Sequence, residues 1–226
     1  MIEELLPDSV VAVELHGDDA IQEAPLYPEE EALMVRAVAK RRREFSSVRA
    51  CARRAMEKLG VPAQPVLTGQ SGAPRWPAGL VGSMTHSKGY CAAALVRAAD
   101  LASLGIDAEP DEPLPEDVVS FVFLPTERER LRGLAAERPG IHWDRILFSA
   151  KESVYKAWFP LTGRWLDFTE ADIEVLADPG ERPHGDLRAE LLVPGPLVDG
   201  RRVQRFEGRW SVRRGVVTTA VVVPHS

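Results

Sequence analysis

The sequence predicts an α+β chain built as two halves, each with antiparallel strands and one long helix. Three observations carry that expectation. Helical patterning is strong in two stretches, Glu29–Leu59 and Trp143–Trp158. Strand-like runs precede and follow the first stretch and crowd the chain beyond Gly163, instead of alternating regularly with helices. The order strand–helix–strand–strand, then strand–helix–helix–strands, permits two halves meeting near Ala98–Ser103, taken here as residues 1–100 and 101–226.

Composition bounds what such a chain can do. Its 226 residues, 45% hydrophobic, can bury a substantial core. A formal charge of −6 argues against a general nucleic-acid binder. Cys51 and Cys91 are too few and too scattered for a disulfide framework or a zinc site. The start, Met-Ile-Glu-Glu-Leu-Leu-Pro, is acidic and unlike a signal peptide. No apolar run approaches the roughly 18 residues of a membrane span. The expectation is a soluble, cytoplasmic protein.

Val10–Leu15 reads as the first strand, and the long helix Glu29–Leu59 follows Pro25 and Pro28 and stops at Gly60 and Pro62. Within it lies Lys40-Arg-Arg-Arg-Glu-Phe45, then Arg49, Arg53 and Arg54. Arg42, Arg49 and Arg53 recur at spacings of seven and four, on one side, with Arg41 beside the row. Basic residues are good helix formers on solvated faces. A one-sided guanidinium cluster is also ready for phosphate.

Leu67–Gly79 is loop chemistry throughout and matches no dinucleotide or lysine phosphate loop. Val81–Ser87 then precedes a strand at Tyr90–Val96, so His86 sits beside Ser83, Thr85 and Ser87 at a predicted strand end. A lone histidine is more often structural than catalytic; the neighbouring hydroxyls suit an anion contact. In a strand Leu104–Glu109, Asp107 and Glu109 point to one face. Two carboxylates side by side repel, so something positive belongs between them. Few oxygen ligands with open positions favour Mg²⁺ over zinc. The alternative is a frayed strand end running into the acidic loop Glu109–Asp117.

Phe121–Leu124 is an apolar segment, either core strand or a strip for a partner. Thr126-Glu-Arg-Glu129 has the form of a capping box that starts a helix to about Glu137. In the second long helix, apolar residues recur at Trp143, Ile146, Leu147, Ala150, Val154, Ala157 and Trp158, the spacing of one buried face. Glu152 and Lys156 project about 40° apart on the side away from that stripe, with Lys151 flanking them. A carboxylate with two ammonium groups suits an anionic, metal-bound substrate. A solvated pair worth about 0.3–0.5 kcal/mol is the plain alternative. Strands follow at Ile173–Leu176, Arg188–Leu192 and Val203–Phe206, with the loop Asp178–Asp186 between the first two. A hairpin Gly208–Val223 closes the chain through Arg214-Gly215.

Four stretches in this order carry a resemblance: Lys40-Arg-Arg-Arg-Glu-Phe45 with Arg49 and Arg53; Trp76-Pro-Ala-Gly-Leu-Val-Gly-Ser-Met-Thr-His-Ser87; Gly105-Ile-Asp-Ala-Glu109; and Phe148-Ser-Ala-Lys-Glu-Ser-Val-Tyr-Lys156. Together they resemble the 4'-phosphopantetheinyl transferases of the large, monomeric Sfp-like class, most closely the enterobactin synthase component D-like branch. The likeness runs from about Glu29 to Phe159 and is weaker beyond.

The resemblance implies a pseudo-dimer of two similar α/β halves, each a small antiparallel sheet with a long helix. Coenzyme A would lie between them, its 3'-phosphate gripped by residues 1–100. The implied reaction moves the phosphopantetheine arm of coenzyme A to a serine of an acyl or peptidyl carrier protein, with Mg²⁺, releasing adenosine 3',5'-bisphosphate. Asp107, Glu109 and Glu152 look like the metal carboxylates, with Glu152 also the proposed base toward the serine. Lys151 and Lys156 resemble phosphate-binding lysines that stabilise the leaving group. His86 and Thr85 match motif positions that contact phosphate. Arg41 and Arg49, with Arg53, match the basic positions at the 3'-phosphate end. Where several members carry a lysine near Gly72-Ala-Pro74, this chain has Ala73; either Arg75 takes over or the phosphate grip is looser.

Carriers tend to be acidic, so Phe121–Leu124 and Arg128–Arg132 are the expected docking strips. A Mg²⁺-dependent hydrolase of a nucleotide pyrophosphate would use the same carboxylates with water. A nucleic-acid module built on the arginine helix is opposed by the acidity. The resemblance implies a monomer with no nucleic-acid or membrane partner.

Overall fold

The computed structural model describes residues 1–17, 21–180 and 182–226. After a short 3₁₀ turn at Ile2–Leu5 come β1 (Val11–His16), α1 (Pro28–Leu33) and α2 (Ala39–Lys58). The small pair β2 (Leu67–Thr68) and β3 (Pro74–Arg75) precedes β4 (Leu80–Ser87), β5 (Tyr90–Arg97) and β6 (Ser103–Pro110). Helices α3 (Glu116–Val122), α4 (Pro125–Glu137) and α5 (Trp143–Thr162) follow. The chain ends with β7 (Ala171–Ala177), β8 (His184–Leu191), β9 (Leu197–Val198), β10 (Arg201–Arg202), β11 (Arg205–Arg213) and β12 (Val216–Val223). The predicted loop Asp178–Asp186 is shorter than expected, since β8 begins at His184; residue 181 lies outside the described residues.

Strands β1, β5 and β4 form a three-stranded antiparallel sheet with β5 central. Every residue of Tyr90–Val96 is buried, because both faces of β5 are covered. Cys91, Ala93 and Leu95 pack against Val48, Cys51, Ala52, Ala55 and Met56 of α2. Tyr90, Ala92, Ala94 and Val96 join Leu104, Ile106, Ala108 and Ala220 in a second apolar cluster, capped by Met1, Ile2 and Leu5. The second sheet runs β6-β12-β11-β8-β7, all antiparallel, and packs on α5. The halves share a plan and differ in size, as five strands cover the broader apolar stripe of α5.

The two sheets meet edge to edge at β4 and β6. Ser83 Oγ and Thr85 Oγ1 accept from the Ile106 and Ala108 amides, each at 3.1 Å. Side-chain hydroxyls thus satisfy backbone donors where no ladder forms. The closing hairpin turns through Arg214 and Gly215, both at positive φ (54° and 74°), as a two-residue turn matched to strand twist requires.

Three expectations are corrected. The helix Glu29–Leu59 is two helices, broken at residues 34–38 without glycine or proline. The break swings α1 back beside α2, so that Glu30 and Glu31 meet arginines of α2. Phe121–Leu124 is not a strand: α3 ends at Val122, with Phe121 86% exposed and Val122 and Phe123 buried. The helix after it starts at Pro125, and its cap is Glu127, whose Oε2 accepts from the Leu124 amide at 2.9 Å, in place of Thr126 and Glu129. Cys51 and Cys91, far apart in sequence, lie with their sulfurs 3.9 Å apart as buried free thiols.

Candidate active site

A cleft of about 590 Å³ opens between the halves. The first half lines it with Arg41 and Arg49 of α2, the segment Thr68–Trp76 including Arg75, and Thr85 and His86 of β4. The second half contributes Glu152, Tyr155, Lys156 and Phe159 of α5. Trp76 is seated on β4, donating from Nε1 to the Gly82 carbonyl at 2.8 Å. Gly82 makes room for it, since a Cβ there would lie 2.9 Å from the indole.

Asp107 stands behind the cleft, 5% exposed, with both oxygens engaged. Oδ1 accepts from Lys156 Nζ at 2.7 Å and from Thr85 Oγ1 at 3.3 Å; Oδ2 accepts from Ser149 Oγ at 2.9 Å. Glu109, on the same face of β6, turns to Arg145 at 3.0 Å. Burial first, then the Asp107 charge, pushes the Glu109 carboxyl above its ordinary range. The same two causes raise Glu152, with Lys156 opposing. Asp107 thus acts on both of the other two carboxylates. Glu152 has no hydrogen-bond or ion-pair partner among the described residues. It is half-buried, raised, and free to take a proton.

On the opposite wall Arg41 Nη1 lies 3.2 Å from His86 Nε2. Crowding in the cleft, and then the Arg41 and Lys156 cations, hold His86 below its ordinary value against the pull of Glu44 and Asp107. With Arg41 donating, Nε2 of neutral His86 is the acceptor and Nδ1 carries the proton.

Several predicted residues are placed elsewhere. Lys151 does not flank Glu152 in the cleft. One step of 100° around α5 carries it into the core, 3% exposed, where Nζ pairs with Glu127 at 2.9 Å and donates to the Phe168 and Ala171 carbonyls. Arg53 binds Glu30 at 3.0 Å and the Pro25 carbonyl, and is absent from the cleft lining. Arg42 pairs with Glu31 and Glu23. Arg49 reaches the cleft but is buried, donating from Nε to the Val66 carbonyl at 2.9 Å, with Glu30 nearby. Most of the one-sided arginine row is thus answered by carboxylates of α1 and the segment before it.

Sequence reasoning missed Glu30, fully buried, which accepts from the Val66 and Tyr27 amides and orders both Arg49 and Arg53. It also missed Ser149, although the 3.6-residue period puts Ser149, Ser153 and Lys156 on one side of α5. The expected docking residues Arg128 and Arg132 border a separate groove of about 510 Å³ with Val119, Leu131 and Ile141.

The family model described as the 4'-phosphopantetheinyl transferase N-terminal domain matches residues 29–96, and that of the 4'-phosphopantetheinyl transferase superfamily matches residues 103–194. The chain is 55% identical to 4'-phosphopantetheinyl transferase Svp of Streptomyces mobaraensis, covering 99% of this chain and 89% of that protein.

The chain belongs to the 4'-phosphopantetheinyl transferase superfamily.

The transferase is also 48% identical to 4'-phosphopantetheinyl transferase PptT of Mycobacterium tuberculosis, over 87% of this chain and 85% of that one. A weaker likeness, 32% identity, links it to enterobactin synthase component D of Salmonella typhi over 53% of this chain and 49% of the relative. No described helix of the transferase is long and apolar enough to cross a membrane.

Proposed function

We propose that the protein transfers the 4'-phosphopantetheine arm of coenzyme A to a serine hydroxyl of an apo acyl or peptidyl carrier protein, releasing adenosine 3',5'-bisphosphate. One observation carries the reading: a single cleft faces Glu152 and Lys156 of one half toward Arg41 and His86 of the other. Residues 1–100 then grip the nucleotide end, and residues 101–226 carry the reacting end.

In the proposed reaction the serine oxygen attacks the phosphorus bearing the pantetheine arm, and the pyrophosphate bridge to the adenosine side breaks. Unpartnered and raised, Glu152 takes the serine proton. Lys156, held at 2.7 Å by Asp107, presents positive charge to the departing bisphosphate. Arg41, Arg75 and neutral His86 contact phosphate oxygens, with Thr85 fixing Asp107 and Arg49 supporting the wall behind them.

Among the described residues no three acidic, histidine or cysteine side chains are grouped closely enough to hold a metal ion by themselves. The donor chemistry still fits a hard divalent cation, because Asp107 raises both Glu109 and Glu152 and all the donors are oxygens. Asp107 and Glu152, with Glu109 once released from Arg145, would hold Mg²⁺, which when bound neutralises pyrophosphate charge. Protein carboxylates and substrate oxygens would share such a site, in keeping with so few protein ligands.

The test is intact-mass measurement of a panel of apo carriers after incubation with the protein, coenzyme A and Mg²⁺. The expected result is a gain of one phosphopantetheine on a serine, lost on chelation. Consumption of coenzyme A without any acceptor would instead identify a pyrophosphate hydrolase.

A further inference from the structure

We propose that Ser149 and Thr219, with Ser153 behind them, position the Asp107 carboxylate through a one-directional chain of buried hydroxyls; the role rests on the transfer reading above. Ser149 Oγ donates to Asp107 Oδ2 at 2.9 Å, which commits its only proton. Toward Thr219 Oγ1, also at 2.9 Å, Ser149 can then only accept. Thr219 Oγ1 shares its own proton between Ser149 Oγ and the Ser149 carbonyl, so toward Ser153 Oγ at 2.7 Å it can only accept; Ser153 Oγ also donates to the Thr219 carbonyl at 3.3 Å. All three residues are fully buried, so water does not substitute for any link. Chained donors polarise one another in a low-dielectric interior.

The consequence is a carboxylate that does not rotate. Oδ2 is tied to the hydroxyl chain, leaving Oδ1 for Lys156 and Thr85 at the cleft. The arrangement requires β6 and α5 to approach closely, and Gly105 permits it: a Cβ there would lie 2.0 Å from the Ser153 carbonyl oxygen. These hydroxyls touch no substrate; they act through Asp107.

The test pairs substitutions at Thr219. Thr219→Val keeps shape and removes the hydroxyl, whereas Thr219→Ser keeps the hydroxyl and removes the methyl. T219V should lower kcat about three- to tenfold, the scale of one hydrogen bond between neutral groups. KM for coenzyme A should stay unchanged, and T219S should restore wild-type turnover. Ser149→Ala should lose at least as much as T219V, and Ser153→Ala the least.

Wild-type kcat in T219V, or a T219S loss equal to it, overturns the proposal. So does a larger loss in S153A than in S149A, which decides the matter should T219V fail to fold. A crystal structure of T219V or S149A gives a readout independent of turnover. The Asp107 carboxylate should be rotated about Cβ–Cγ; an unmoved carboxylate overturns the positioning role. Should the wild-type protein modify no carrier, the transfer reading falls, while the crystal structures still decide the hydroxyl chain.

Discussion

Lys156 Nζ lies 2.7 Å from Asp107 Oδ1 and 3.1 Å from the Ile106 carbonyl, tying α5 to β6 behind the cleft. This ammonium answers Asp107, while Arg145 answers its neighbour Glu109 on β6. Replacing it by methionine keeps the aliphatic stem and removes the charge. Lys156→Met should lower the rate of carrier modification about 100-fold, the scale of losing one charge stabiliser at a reacting centre. Steady-state kinetics with a fixed apo carrier checks it.

Glu152 is raised by burial and by Asp107, so protonation sets in at a higher pH than for an exposed glutamate. As a base it works ionised, and kcat/KM should fall as pH drops through that raised value. Glu152→Gln should abolish this limb and cut turnover by roughly 100-fold or more. Stability carries the opposite sign. A carboxyl raised in the folded state contributes stability at low pH that is lost as pH rises through the folded pKa. At neutral pH the glutamine variant should therefore melt higher than wild type. A lower Tm together with normal turnover would remove Glu152 from the mechanism.

Lys151 and Glu127 form an ion pair whose side chains are 2% and 0% exposed. Glu127→Ala strands a buried ammonium and removes a cap and an amide acceptor, so about 3–5 kcal/mol of stability should be lost in chemical denaturation. The double variant Lys151→Met, Glu127→Leu should recover part of that loss. Coenzyme A binding by the double variant should match wild type, because neither residue lines the cleft.

Arg41 and Arg49, close in sequence and both expected at phosphate, separate by test. Arg41 is exposed at the rim beside His86, and Arg41→Ala should raise KM for coenzyme A about tenfold with Tm unchanged. Arg49 is buried, stacked 3.2 Å over the Phe45 ring and bonded to Val66. Arg49→Ala should also cost about 2 kcal/mol of stability by leaving a buried carbonyl unpaired. Calorimetry and kinetics on the two variants together decide between grip and scaffold.

Much of this was legible in the chain. The element order permitted two α/β halves, and the resemblance carried by four ordered motifs named the fold and pointed to Arg41, Arg49, Arg75, Thr85, His86, Glu152 and Lys156 of the cleft. Periodicity also put Glu152 and Lys156 on the polar side of α5, where the structure has them. It could not separate Lys151, whose long stem made an exposed flank and a buried pair equally readable, because the partner Glu127 comes from another helix. The arginine row misled in the same way: its partners Glu30 and Glu31 arrive only because α1 folds back without a glycine or proline to announce it.

Local sequence thus determined which residue types face a common side, since helix and strand geometry are set by neighbours a few positions apart. Only the tertiary structure decided which charges meet. Pairing between Lys151 and Glu127, between Arg53 and Glu30, and between Asp107 and the hydroxyls of Ser149 and Thr85 depends on segments 22 to 42 positions apart. Electrostatic and hydrogen-bond energies follow distance in space, and that distance is a property of the whole packed chain.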